Sequence, residues 1–275
     1  MDNSVNFSQR REPGEIIQAT FAFLRSEYKN LFRLTAIYIL PFMILFAIAQ
    51  VLLQIKISDA ARLIPDTEPE LLLQELGRFY GNFMIIIFFN TFVLALFAAL
   101  IYSYIAEYLD KGHGHISDAV ISAQLYHHSA RAILAAITVT VLSLTGLMFF
   151  IIPGILIANS LSLAVFISVF EKRGTLYAIS RSWALVRRQW WVTLSLNAIG
   201  VLFIWLASIT ATLPVYLHGL FTVTDPDLAE VIPQWRWWVS GVSIVVSSMA
   251  AVFPIVFMAF HYFNLREREK EVRPL

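Results

Sequence analysis

The chain has 275 residues, of which 58% are hydrophobic and only 14% are charged. Soluble domains are nearer half apolar and a quarter charged, so this composition excludes a disordered protein, a nucleic-acid binder and an ordinary soluble enzyme. The formal net charge is +1, and the absence of cysteine excludes disulfides, iron–sulfur clusters and a thiol nucleophile. The composition predicts an all-α polytopic membrane protein.

Long segments without Asp, Glu, Lys or Arg decide how often the chain crosses a bilayer. A hydrocarbon core of about 30 Å needs about 20 helical residues, and three segments have about that length. The segment 132–170 is too long for one span, and Pro153-Gly154 predicts a turn within it. The segment 189–224 predicts one span and a loop. We therefore predict one integral membrane domain over residues 1–275, with six spans at about 34–55, 83–105, 132–151, 154–170, 191–213 and 239–263.

Basic residues are distributed unequally between the two sides of such a bundle. The side that holds both termini carries 16 of the 20 Lys and Arg residues, and the other side carries 4. Cytoplasmic loops of membrane proteins are enriched in Lys and Arg. This bias predicts that both termini are cytoplasmic.

Three segments on the basic side begin with a glycine and continue with amphipathic spacing, before each odd-numbered span. They follow Gly14, Gly114 and Gly174. Such spacing is typical of a helix that lies in the headgroup region or of a connector packed under the bundle, and the two alternatives are compatible. The chain is therefore interpreted as three units of an in-plane helix and a two-span hairpin. In the first unit one stripe contains Ile17, Phe21, Leu24 and Tyr28, and another contains Gln18, Arg25 and Lys29.

The segment after Gly174 has the clearest amphipathic pattern. Its apolar stripe runs from Leu176 through Trp183 to Trp190. Basic side chains near a cytoplasmic leaflet attract anionic headgroups, so we predict that this helix binds anionic lipid. The alternative is that its arginines pair with Glu171 and with a protein partner. The predicted lipid-binding residues are Arg181, Arg187, Arg188 and Trp183.

The predicted spans contain few groups for catalysis or transport. They lack charged residues at mid-membrane depth, whereas proton and ion pathways usually use them. The main buried amides, Asn90, Asn159 and Asn197, are expected to form interhelical hydrogen bonds, and the alternative is a polar path. The sequence has no G-x-S-x-G, H-E-x-x-H or P-loop motif. We predict no catalytic residue and no cofactor.

Four histidines are clustered in one segment on the basic side. They suggest a metal site as a minority alternative, but closed metal sites have tighter ligand spacing. We therefore predict no metal and take the histidines as interfacial. They are His113, His115, His127 and His128.

Several short motifs recur in an order that resembles a known family. They are Pro13-Gly14-Glu15, Pro153-Gly154, Glu171 with Ser182-Trp183, and Leu265-Arg266-Glu267-Arg268. In this order and spacing the chain resembles bacterial membrane proteins related to the membrane domain of glycerophosphoryl diester phosphodiesterases. Asn264 is a departure, since an Asp is usual there.

The resemblance implies a membrane domain without its own chemistry. In the phosphodiesterases catalysis belongs to a separate soluble barrel, which we do not expect in this chain. The expected function is a non-enzymatic scaffold or accessory subunit in envelope or lipid-related processes of the bacterial inner membrane. Its expected partners are membrane lipids with anionic headgroups on the cytoplasmic side and possible protein partners, and no nucleic acid. A transporter or flippase for amphiphiles is the main alternative, and a membrane metalloenzyme is a minor one.

Overall fold

The computed structural model describes residues 6–62, 69–112, 118–224 and 234–272. Regular structure within these residues is helical throughout, as the sequence predicts: ten α-helices and one 3₁₀ helix. In chain order they are α1 (Pro13–Tyr38), α2 (Leu40–Arg62), α3 (Pro69–Lys111), α4 (Asp118–Phe149), α5 (Ile151–Ser160), α6 (Ala164–Phe170), α7 (Thr175–Val186), the 3₁₀ turn (Arg187–Gln189), α8 (Trp190–Thr224), α9 (Trp235–Ala250) and α10 (Val252–Val272).

Six stretches of these helices are long and apolar enough to cross a bilayer, which confirms the predicted number for a multi-pass membrane protein. The first begins at Leu40 instead of residue 34, because the helix is interrupted at Ile39. Pro41 follows at once, and its missing N–H removes a helical hydrogen bond. The candidate spans are Leu40–Ser58, Tyr80–Lys111, Val120–Phe149, Ile151–Phe170, Thr175–Leu220 and Trp235–Glu271.

The turn in the long apolar segment lies at Phe150, three residues before the predicted Pro153-Gly154. Phe150 has extended backbone angles, and Pro153 lies in the first turn of α5, where a missing N–H is tolerated. Gly154 packs against α4. A Cβ added to Gly154 would lie 2.8 Å from the backbone nitrogen of Leu147, so only glycine permits this close approach.

The three predicted units are not equivalent in the structure. The first and third begin with separate helices, α1 and α7. In the second, the amphipathic segment and the span form the single helix Asp118–Phe149; Gly114 lies outside the described residues. A separate helix before the span is therefore present in two of the units, and its in-plane orientation stays a prediction.

Both described ends of the chain lie at one end of the bundle. There Arg10 pairs with Glu271 at 3.2 Å, and the ring of Phe7 stacks on that of Phe260 with a centroid distance of 4.1 Å. We call this the terminal end, and the other the opposite end.

Buried side chains are concentrated near the terminal end. They include nearly all residues of α3 from Val93 to Tyr108 and of α10 from Val256 to Leu265. Towards the opposite end, α2 and α8 keep large apolar side chains exposed. Lipid tails are as apolar as Leu, so a membrane helix gains little by withdrawing such side chains from lipid. Specific packing is thus built mainly at the terminal end, where the candidate site lies.

Candidate functional site

A network of polar side chains joins α6, α7 and α10 at the terminal end. Glu171 follows the last residue of α6, where the helix ends. Its carboxylate accepts a hydrogen bond from the hydroxyl of Tyr262 at 2.6 Å and another from that of Tyr177 at 3.0 Å. The two tyrosines belong to α10 and α7, so this carboxylate ties three helices together. We call Glu171, Tyr177, Arg181, Tyr262 and Glu269 the polar clamp.

Arg181 is the cation of the polar clamp. Its guanidinium donates to both carboxylate oxygens of Glu269 on α10, with an Nη1–Oε1 distance of 2.9 Å. The two side chains are only 25% and 26% exposed. The Nε atom lies 4.0 Å from Glu171, at the outer limit of an ion pair. The expected Glu171–arginine contact is therefore present, but Glu269 is the stronger partner. Forked arginine–carboxylate pairs fix orientation as well as adding energy.

A cavity of 340 Å³ opens beside the polar clamp. It is lined by Phe170, Glu171, Arg181, Tyr262 and Arg266. Arg266 is exposed and has no carboxylate partner among the described residues. The lining can donate hydrogen bonds to an anion and accept them from a hydroxyl or ammonium group. These groups suit the binding of a polar or charged ligand.

The segment 6–12 is tied to α10 next to the polar clamp, and we call it the N-terminal clasp. The backbone N–H of Arg11 donates to Asn264 at 3.0 Å, and Arg268 donates to the carbonyl of Arg11 and to the carboxylate of Glu12. The Arg11 guanidinium is buried and donates to the carbonyl of Phe7. Burial lowers the pKa of Arg11, and the negative charge of Glu15 partly offsets this.

Phe7 anchors the N-terminal clasp in the core. Its ring is fully buried. It contacts four other aromatic rings from α1, α3 and α10: Phe23, Tyr108, Phe260 and Phe263. The sequence analysis missed this contact because Phe7 stands among polar residues, where no periodicity marks it as buried.

The structure also contains a buried carboxylate that the sequence analysis missed. Glu27 on α1 accepts hydrogen bonds from the hydroxyl of Tyr104 on α3 and from the amide of Asn30. A signal was present, because Glu27 is one helical turn from both Phe23 and Leu31, which are buried. In the predicted stripe, Ile17 and Leu24 pack against the core, and Phe21 contacts one ring of α8 and one of α10. Tyr28 is left exposed.

Two of the three intramembrane amides meet, as predicted. Asn197 donates to Asn159 at 2.8 Å, and Asn159 donates to the carbonyl of Trp190 at 3.1 Å. This confirms an interhelical hydrogen bond between α5 and α8. Asn90 is half-buried on α3, and none of the three lines either cavity described here.

The other predicted structural residues occupy caps and helix contacts. Glu15 accepts from the backbone N–H of Glu12, and the two form a capping box at the start of α1, beside Gly14. Ser182 donates to the carbonyl of Ser160 at 2.8 Å and so joins α7 to the end of α5. Arg268 belongs to the N-terminal clasp, and Arg266 lines the cavity.

The predicted lipid-binding residues differ in their surroundings. Arg187 and Arg188 are exposed in the 3₁₀ turn, and Trp183 is 41% exposed. Arg181 is held by Glu269. The inner face of α7 consists of Ala178, Ser182, Leu185 and Val186. Lipid binding by these residues stays a prediction, and Arg187 and Arg188 are the arginines placed for it.

The histidines do not converge within the described part of the chain. His127 is exposed, whereas His128 is buried and hydrogen-bonded through Nδ1 to Ser103 at 2.8 Å. His113 and His115 lie outside the described residues. Among those that are described, no three His, Asp or Glu residues are grouped as metal ligands would be.

Comparison of the chain with protein-family models, with curated proteins and with solved structures finds no match. The resemblance to the phosphodiesterase membrane domain therefore stays a prediction.

Proposed function

We propose that this protein is a non-enzymatic scaffold or accessory subunit of the bacterial inner membrane, acting in an envelope or lipid-related process, with both termini cytoplasmic. The observation that carries the proposal is the construction of the terminal end. The polar clamp and the N-terminal clasp lock α1, α6, α7 and α10 together through ion pairs and hydrogen bonds. Such a fixed surface suits the docking of a partner at the membrane face.

Exposed residues at the edge of this surface favour contact with the membrane. Arg187 and Arg188 have no carboxylate partner in the described part of the chain, and Trp183 lies on the preceding helix. Arginine binds phosphate oxygens well, and tryptophan is enriched at membrane interfaces. These residues would hold the terminal end against an anionic leaflet.

A transporter or flippase for amphiphiles is the alternative, favoured by an apolar groove along α1. The experiment that separates the two uses the full chain in proteoliposomes with a fluorescent phospholipid. A scaffold should not accelerate flipping above empty vesicles. Acceleration above that background would overturn the scaffold proposal and favour the alternative.

Partner docking is tested by crosslinking in native membranes. Wild type should crosslink one partner protein in a constant ratio of partner to this protein. The variant Arg181→Gln/Glu269→Gln should lose that crosslinked partner. The matched control is Arg33→Gln/Asp118→Asn, which removes an exposed ion pair at the same end, 2.8 Å long in wild type. Equal loss in both variants would show that the polar clamp is not the docking surface.

A further inference from the structure

An apolar groove of 560 Å³ runs along α1. Its walls are the exposed side chains of Tyr28 (58% exposed) and Phe32 (60%). Its floor includes the buried Phe97 of α3 and residues on either side of the break between α9 and α10, Met249 and Phe253. Ligand pockets commonly have volumes of about 300–1,000 Å³.

The groove begins at the terminal end and leads towards the middle of the bilayer. Phe97 precedes Glu107, near the end of α3, by ten residues, which is about 15 Å of helix. This is about half of a hydrocarbon core of roughly 30 Å. An occupant would thus have one end at the membrane surface and the other among lipid tails.

The surface end of the groove is cationic. Lys29 lines it, with Nζ 5.8 Å from the centroid of the Tyr28 ring, and Arg25 lies one helical turn away on α1. Neither has a carboxylate partner among the described residues, whereas Arg33 on the next turn pairs with Asp118. Two cations without carboxylates beside an apolar channel are complementary to an anionic amphiphile.

We infer that the groove is a binding site for an anionic phospholipid, with one acyl chain between Tyr28, Phe32 and Phe97 and the phosphate at Lys29 and Arg25. Bulk lipid offers the acyl chain an environment as apolar as the groove. The headgroup contact therefore provides the selectivity, and the groove fixes where that headgroup sits. The inference rests on the proposed function only in taking the protein to lie in the bacterial inner membrane. The groove is separate from the polar clamp and from Arg187 and Arg188.

The test is native mass spectrometry of the purified full chain, titrated with phosphatidylglycerol or with phosphatidylcholine. Wild type should retain the anionic lipid preferentially. Arg25→Gln/Lys29→Gln should weaken this retention by about fivefold per charge at low salt, with phosphatidylcholine unaffected. The matched control Arg10→Gln/Lys270→Gln removes two charges that have carboxylate partners at the same end, and it should behave like wild type. Equal loss in both variants would overturn the site.

A second measurement locates the acyl chain of the bound lipid. A benzophenone amino acid at Phe32 should crosslink phosphatidylglycerol in preference to phosphatidylcholine in mixed nanodiscs. The same group at Trp238, exposed near the opposite end, should show no preference. Equal preference at the two positions, or displacement of the retained lipid by soluble glycerophosphate, would overturn the inference. Loss of lipid in Arg187→Gln/Arg188→Gln but not in Arg25→Gln/Lys29→Gln would also overturn it, while leaving the proposed function intact.

Discussion

The two ends of the bundle are stabilised in different ways. At the terminal end, aromatic rings enclose Phe7, and Arg181, Glu269 and Glu171 connect helices that are distant in sequence. Towards the opposite end, the tip of the α4–α5 hairpin from Met148 to Ile152 is 70–87% exposed and entirely apolar. Lipid can cover that tip without cost, but lipid cannot satisfy a carboxylate or a guanidinium. Specific polar and aromatic contacts are thus concentrated at the terminal end.

The largest expected difference between the two ends is in their accessibility from outside the cell. Cysteine labelling is nearly all or none. Cysteines placed at Gln124 and Thr175 should be protected from an impermeant reagent outside the cell. Cysteines at Glu68 and Asp227, which lie outside the described residues, should be labelled. The charge asymmetry in the sequence is the physical reason. External labelling at Thr175 would reverse the assignment of the terminal end to the cytoplasm.

Two phenylalanines give the largest expected difference in stability. Phe7→Ala should lower the free energy of unfolding by about 3–5 kcal/mol, because it leaves a cavity among aromatic rings. Phe149→Ala should change it by no more than about 0.5 kcal/mol, since this ring is 73% exposed. Thermal unfolding in detergent measures both. Similar small effects would mean that the N-terminal clasp is not part of the core.

Gly154 tests whether the opposite half contains any specific packing. Gly154→Ala should destabilise the protein by about 1–3 kcal/mol, because the new Cβ would meet the backbone of Leu147. The control is Gly81→Ala in α3, where a Cβ would have nothing within 4 Å. That change should stabilise the helix by up to about 1 kcal/mol. Urea or thermal unfolding should show that the free energy of unfolding falls in Gly154→Ala and rises in Gly81→Ala. A change in the same direction in both variants would contradict this packing.

The sequence predicts the number of candidate membrane spans because apolar length is a local property. It also predicts that Asn159 and Asn197 form interhelical hydrogen bonds, since buried amides in a bundle need partners. That they bond to each other is seen only in the structure. It does not predict that Glu269 is the partner of Arg181, because 88 residues separate them and no local pattern connects them. The burial of Phe7 is hidden for a related reason: its segment is irregular, so the ring's surroundings are set only by tertiary packing.

The polar clamp should show measurable coupling. A double-mutant cycle with Arg181→Gln and Glu269→Gln is expected to give about 1–2 kcal/mol, above the value for an exposed pair, because both side chains are about three-quarters buried. The same cycle on Arg10 and Glu271, which are mostly exposed, should give less than about 1 kcal/mol. Equal coupling energies would show that burial does not strengthen the polar clamp.

The smallest expected effect concerns the exposed arginines after α7. Replacing Arg187 and Arg188 by Gln should cost about 1 kcal/mol of anionic-lipid binding per residue, and less at high salt, because salt screens exposed charges.

Arg181→Gln should reduce stability and leave lipid retention nearly unchanged, since Glu269 already occupies its guanidinium. Trp183→Ala should loosen the contact of α7 with the membrane without altering the preference for lipid charge. Native mass spectrometry of the three variants measures retained phosphatidylglycerol. If all three retain as much as wild type, the exposed arginines serve a protein partner, and the terminal end is a docking surface without a lipid contact at α7.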